Sequence, residues 1–241
     1  MSDDLNWTFN SITFLPICLA LFGFITYWFS SKSSKIKLLF EKNNNADEAS
    51  IKHILFCKFS GLFWMGIVPI ILSVCFLKDY KFADFGLYIN GETSLLSLYW
   101  IIGLSVPIVP LVSYSARQEK NLKNYPQIRA KVWSKNLKLK NAIGWAAYLF
   151  GYELLFRGVL LFPLADELGV WTAIAINIAL YSATHIPKGL DETIGAIPLG
   201  LVLCILTIYT DTIWIAFIVH VVMAWTNTFT ALRFNPEMKE N

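Results

Sequence analysis

The sequence predicts an all-α protein, a polytopic integral membrane bundle of about seven transmembrane helices. Three observations carry that reading. Hydrophobic residues make up 56% of the chain and charged residues 15%, against about 45–50% and 25% in soluble domains. The charges gather in short stretches between long apolar runs. Six of those runs, Leu5–Ser31, Phe59–Leu77, Thr93–Ala116, Leu168–Pro187, Thr193–Thr210 and Thr212–Leu232, contain no Asp, Glu, Lys or Arg. A seventh, Asn141–Ala165, is interrupted only by Glu153 and Arg157. A helix crosses roughly 30 Å of hydrocarbon with about 20 residues, so each run suffices for one crossing. Helices buried in a soluble core would leave this chain without a polar shell.

Taken in order, the first run reads as a span and not as a cleavable signal. Asp3 and Asp4 precede it without a basic residue, and it is too long. Residues 32–58 follow with six lysines, Lys32, Lys35, Lys37, Lys42, Lys52 and Lys58, and read as a basic loop. The loop after the second run sets Lys78 and Lys81 against Asp79, Asp84 and Glu92. Residues 117–140 then hold eight basic residues against Glu119 alone. Basic loops stay in the cytoplasm, so the N-terminus is expected outside and the C-terminus, with Arg233 and Lys239, inside. The net charge of +3 reflects this asymmetry and calls for no nucleic acid. The second basic cluster fixes topology and can touch anionic headgroups. Cys18, Cys57, Cys75 and Cys204 show no CxxC spacing and read as free structural thiols. The nine tryptophans fall mostly near span ends, as interfacial belts require.

Within the spans, only Glu153, Arg157, His185 and His220 are ionisable at or below neutral pH. A charge in hydrocarbon costs several kcal/mol, so such residues should face the bundle interior and find partners. Glu153 and Arg157 stand four apart with the acid first, the favourable order for an ion pair on a helix. On its own that pair is equally a salt bridge that tolerates its burial. The histidines widen the reading. His185 stands near the end of the Leu168–Pro187 run, just before Pro187, which ends a helix, and His220 lies within Thr212–Leu232. One carboxylate and two imidazoles form the ligand set that holds a catalytic zinc with one position open. At 1.5 Å per residue His220 and Glu153 lie roughly 12 and 15 Å below the outer boundary, but His185 roughly 25 Å. A proton-coupled transporter would also keep such residues, yet the inverted repeats that reading wants are not visible.

The stretch Tyr152-Glu153-Leu154-Leu155-Phe156-Arg157-Gly158 resembles the first motif, Glu-Glu-x-x-x-Arg, of the CPBP family. These are intramembrane type II CAAX prenyl endopeptidases and bacteriocin-processing or self-immunity proteins. Tyr181-x-x-x-His185 resembles the second motif, an aromatic residue four before a histidine. His220 supplies half of the third, His-x-x-x-Asn or Asp. The resemblance spans roughly residues 95–232. Two positions depart from it. Tyr152 replaces the first glutamate, and Ala224 stands where the family has an amide or carboxylate. Asn227, on the same face two turns on, is the nearest substitute.

The resemblance implies an intramembrane endopeptidase, a CAAX protease-like metalloprotease. Glu153 would act as base on a water held with His185 and His220. Arg157 would position Glu153, and Asn227 or a histidine would stabilise the oxyanion. If a metal is bound, Glu153, His185 and His220 would hold zinc. The alternative, fed by Tyr152, is a catalytically inactive scaffold or bacteriocin self-immunity protein. The expected division is an N-terminal two-span region over 1–92 with its cytoplasmic basic loop, then a CPBP-like catalytic core over 93–241. Membrane lipid and a peptide or protein substrate in the membrane are the expected partners, and a bacterial plasma membrane the expected location. Reporter fusions at Asn44 and Asn124 should read cytoplasmic and one at Phe82 external. An external signal at Asn124 would overturn the span count.

Overall fold

The computed structural model describes residues 10–89 and 91–241. Asp3, Asp4, Trp7 and the first residues of the Leu5–Ser31 run lie outside the described residues. The chain is a helical membrane bundle. Its long helices are α1 (Ser11–Lys32), α3 (Ala46–Phe76), α4 (Gly91–Ala116), α5 (Lys135–Leu168), α7 (Leu190–Thr210) and α8 (Trp214–Phe234). All six are long and apolar enough to cross a membrane. Between α1 and α3 lies the short α2 (Ser34–Lys42), and between α5 and α7 the apolar α6 (Val170–Ala183). Each of the seven runs has therefore become one helix. The only strands among the described residues are β1 (Val132–Trp133) and β2 (Lys239–Glu240), paired in parallel.

The helix ends sort into two opposite faces. At one, Tyr80 donates to Asp166 at 2.8 Å and Asn10 to Glu167 at 2.5 Å, while the Ile213 amide donates to the Gly86 carbonyl at 3.0 Å. At the other, the Arg129 and Lys131 amides donate to Ser50 and Asp47, and Lys120 meets Asp191 at 2.8 Å. That last contact sets the first turn of α7 at the basic face. The order of contacts is that of six long helices and one shorter one running between the two faces.

Two expected boundaries moved. Helix α6 holds 14 residues, about 21 Å at 1.5 Å per residue, so it stops short of a full crossing. Thr184 and His185 leave the helix, and a 3₁₀ turn at Ile186–Lys188 leads to Gly189 at φ 112°. Pro187 and this glycine break the helix before it can use the whole apolar run. The basic loop over 32–58 is largely helical instead of irregular. Ser33 and Asn45 cap the starts of α2 and α3 by accepting amide hydrogen bonds. Lys37–Glu41 and Lys52–Glu48 pairs one turn apart line the exposed faces. Lys58, counted with the loop, sits inside the bundle at 2% exposure.

Helix α5 is the hub. It is buried over 83% of its apolar window, against 6% for α4. A seam of glycines lets its neighbours approach that closely. A Cβ at Gly151 would come within 2.8 Å of the Leu62 Cα on α3, and one at Gly66 within 2.9 Å of the Gly151 Cα. At Gly158 it would meet the Phe85 carbonyl at 2.9 Å. Small residues at such crossings are how membrane helices gain packing without a hydrophobic driving force. Gly151→Ala should therefore destabilise the bundle by about 1–3 kcal/mol through overpacking. Gly195→Ala, where an added Cβ meets nothing within 4 Å, should leave thermal unfolding in detergent unshifted or slightly raised. Equal midpoints for the two variants would contradict the seam.

Candidate active site

Helix α5 changes its winding where the site begins. It is α-helical through Glu153 and a π-helix over Leu154–Leu161. A π turn bonds i to i+5, so it re-aims side chains and loosens the carbonyl ladder. Asn177 on α6 takes up the consequence, donating its side-chain amide to the Phe156 carbonyl at 2.5 Å. Its own oxygen accepts from the Cys204 thiol at 3.3 Å. The irregular segment is thus held by a polar residue from the neighbouring span.

Glu153 and Arg157 are wholly buried, and their charges meet at 3.3 Å between Oε2 and Nη1. The other carboxylate oxygen, Oε1, lies 2.5 Å from Nδ1 of His220 on α8. Nε2 of His220 faces the Tyr181 hydroxyl at 3.1 Å. In the neutral ring this makes Nδ1–H the donor to the carboxylate and Nε2 the acceptor from the phenol. The Arg157 Cζ lies 4.2 Å from the centroid of the Tyr181 ring. Such a cation–π contact is strongest where water is excluded. Glu153 Oε2 and all three guanidinium nitrogens make no hydrogen bond within the protein. What holds them is the charge of the ion pair and the Tyr181 face, so hydrogen-bonding capacity remains on both partners.

His185 stands apart from this pair. Its Nδ1 is 3.0 Å from the Tyr181 carbonyl and 3.3 Å from Thr184 Oγ1. Its ring packs 4.9 Å from that of Tyr181. Tyr181 is therefore the go-between, with its hydroxyl on His220 and its backbone on His185. Thr184 donates to the same carbonyl at 2.7 Å and has no second proton to give. Tyr152, 2.7 Å from Thr184 Oγ1, must then be the donor of that bond. Asn227 is half-buried two turns beyond His220 and has no part in these hydrogen bonds.

The three residues expected to hold zinc thus do not gather. Among the described residues, no group of three or more His, Cys, Asp or Glu is arranged to hold a metal ion. Zinc ligands must stand about 2.0–2.2 Å from a common point, whereas here one oxygen and one imidazole are bonded to each other and the second imidazole to a carbonyl. Sequence reasoning named Tyr181 only as the aromatic residue of the second motif, without a contact, and missed Thr184 and Asn177, because it searched the spans for ionisable groups. The signal for Asn177 was an uncharged amide in an otherwise apolar helix.

A cavity of about 1050 Å³ enters from the basic face. Tyr152 and Thr184 belong to its wall, while Glu153, Arg157 and His220 do not. The Tyr152–Thr184 hydrogen bond thus lies in the cavity wall.

With this geometry in place, the comparison with known families becomes specific. Residues 140–226 match the Rce1-like family, type II CAAX prenyl endopeptidases. The matched segment contains Tyr152, Glu153, Arg157, Tyr181, His185 and His220, and ends one residue before Asn227. It agrees with the CPBP resemblance of the motifs. No curated protein and no solved structure matches the chain. At family level the Rce1-like match is to CAAX protease-like intramembrane endopeptidases, which work in lipid on peptide substrates.

Arg157 supports Glu153 in both charge and position. Arg157→Ala should lower stability by about 3–5 kcal/mol, because it strands a buried carboxylate. Arg157→Lys should recover only part, since an ammonium can neither stack on Tyr181 nor present a planar fork. Unchanged thermal unfolding of the alanine variant would show the pair to be dispensable.

Proposed function

We propose that the protein is an intramembrane endopeptidase in which Glu153 and His220 act as one proton-accepting pair. The observation that carries this is their 2.5 Å contact inside the bundle, with Arg157 balancing the carboxylate from the other side. A water approaching the unbonded Oε2 gives the pair a proton as its oxygen bonds to the scissile carbonyl carbon. The pair returns that proton to the leaving amine as the carbon–nitrogen bond breaks. Donors for the oxyanion would be the Tyr181 hydroxyl, once it leaves His220, and His185 in its protonated form, with Asn227 a further candidate. No step is assigned to a metal. Zinc held by Glu153, His185 and His220 would require the imidazoles to turn toward Glu153, and stoichiometric zinc in the wild type that is lost in Glu153→Gln, His185→Ala and His220→Ala would support that ligand set.

A second reading is favoured by Tyr152. Its phenol occupies the position of the family's first glutamate, is bonded to Thr184, and walls the pair off from the cavity. A chain built this way can also be an inactive scaffold or self-immunity protein that keeps the fold without turnover.

One set of variants decides between the two. Wild type, Glu153→Gln, His185→Ala, His220→Ala and Tyr152→Glu are purified in detergent, analysed for bound metal, and assayed against a membrane-peptide library. Glu153→Gln keeps the shape of the side chain but removes its basicity. In an enzyme it should cost about two to four orders of magnitude in rate with unfolding unchanged. His220→Ala should fall as far, and His185→Ala less, because it reaches the pair only through Tyr181. Cleavage by wild type that survives Glu153→Gln would sink the mechanism. No cleavage by wild type, with activity appearing in Tyr152→Glu, would place the defect at position 152 alone.

A further inference from the structure

The cavity on the basic face holds a cation that the proposed chemistry does not use. Lys58 is 2% exposed yet contributes to the cavity wall. Its Nζ lies 3.1 Å over the Trp145 ring and donates to Gln127 Oε1 at 3.2 Å. Among the described residues, no carboxylate stands within ion-pair distance of it. A buried lysine served by one amide oxygen and an aromatic face is under-compensated, and an anion beside it would stabilise its charged form. Lys32, at the mouth, is likewise set over an aromatic ring, Trp28 at 5.1 Å. The full lining has four basic residues, Lys32, Lys37, Lys58 and Arg129, against two acidic ones, Glu41 and Glu192. Glu41 is already engaged by Lys37 at 3.5 Å. The surplus is positive.

The surroundings narrow the anion. Helix α2 forms one side of the mouth through Lys37 and Glu41. It also exposes Leu38 and Leu39 beside Lys35 and Lys42, the pattern of a helix lying in the plane of the interface. The entrance therefore opens at headgroup depth, and the inner wall turns aromatic at Tyr27, Tyr148 and Tyr152. The one guanidinium in the lining is occupied, since Arg129 donates to the Leu122 and Lys123 carbonyls. That leaves lysines, which bind phosphate as point charges, and no free planar fork of the kind that suits a carboxylate. Basic pockets between spans on the cytoplasmic side have the chemistry to take anionic headgroups. From this we infer that the cavity binds the phosphate headgroup of an anionic phospholipid, with Lys58 as its innermost contact and the aromatic wall against the start of the acyl chains.

Binding is read independently of turnover, so the proposal stands or falls apart from the endopeptidase reading. The full chain in uncharged detergent is titrated with phosphatidylglycerol or phosphatidylcholine, and bound lipid is counted by native mass spectrometry. Wild type should favour phosphatidylglycerol by at least about tenfold, the scale of one charge-assisted contact. Lys58→Met, which keeps the apolar stem, should remove most of that preference. Lys32→Gln should weaken it without touching the buried core, so a folding defect at position 58 does not block the test. Lys42→Gln, outside the lining, should change nothing. Equal binding of the two lipids, or full preference in both Lys58→Met and Lys32→Gln, would overturn the proposal. Displacement of the lipid by millimolar inorganic phosphate would assign the cavity to a soluble phosphate instead. Displacement by a peptide acid but not by its amide would assign it to a peptide terminus. Either result would overturn the lipid reading.

Discussion

The buried ion pair of Glu153 and Arg157 is the constraint around which the rest of the bundle is arranged. Neither side chain has any access to solvent, and each charge alone would be prohibitive at that depth. The pair is tolerable because four elements contribute to it. Helix α5 supplies both charges, α8 brings His220 to one carboxylate oxygen, α6 lays the Tyr181 ring under the guanidinium, and α7 comes close at Gly200. A Cβ at Gly200 would stand 3.1 Å from the Tyr181 ring and 3.8 Å from Arg157 Nη2. The helix that carries the charges has to be the most enclosed one. The glycine seam at positions 144, 151 and 158 makes that enclosure possible.

Much of this was legible in the residues. Six uncharged runs and one interrupted only by Glu153 and Arg157 each became a helix, and the i, i+4 spacing foretold the ion pair with its acid first. His220 fell at nearly the depth of Glu153 by simple rise, and the two are in contact. The same arithmetic set His185 too deep, and it is indeed displaced from the carboxylate, with Tyr181 between them. What could not be read was the π-helix over Leu154–Leu161. A π turn has no local code, since it is fixed by partners such as Asn177 that bind the carbonyls it frees. The early end of α6 was half visible in Pro187, but hydropathy continued past it and concealed the turn. Lys58 was hidden for the opposite reason. It lies between a basic stretch and an apolar one, and only the packing of Trp145 and Gln127 determines to which it belongs.

The carboxylate and the cavity are separated by a single layer, and position 152 is central to it. Tyr152 packs against Tyr148, Phe156 and Tyr181 at ring-centroid distances of 6.0, 4.8 and 5.8 Å. Aromatic contacts of this kind contribute about 0.5–1.5 kcal/mol each beyond the area they bury. The tyrosine is thus tied into the core on its ring and into the Thr184 network on its hydroxyl. Compared with a glutamate it changes three things together: it removes a negative charge, it fills the volume a shorter side chain would leave, and it adds a donor to Thr184.

Those three changes act on the pair in different directions. Losing a neighbouring carboxylate relieves like-charge repulsion on Glu153, and so favours the compact Glu153–His220–Arg157 arrangement over an open one. Filling the volume keeps the cavity and the pair apart, so a peptide reaching Glu153 from the basic face must displace the Tyr152–Thr184 bond. That bond joins a phenol to a hydroxyl already committed to the Tyr181 carbonyl, and Tyr181 is the residue that holds His220 and stacks on Arg157. The wall and the Glu153–His220 contact are therefore joined through one side chain, Tyr181. In this chain the aromatic residue between the two histidines does the positioning that the sequence pattern assigned to charge alone.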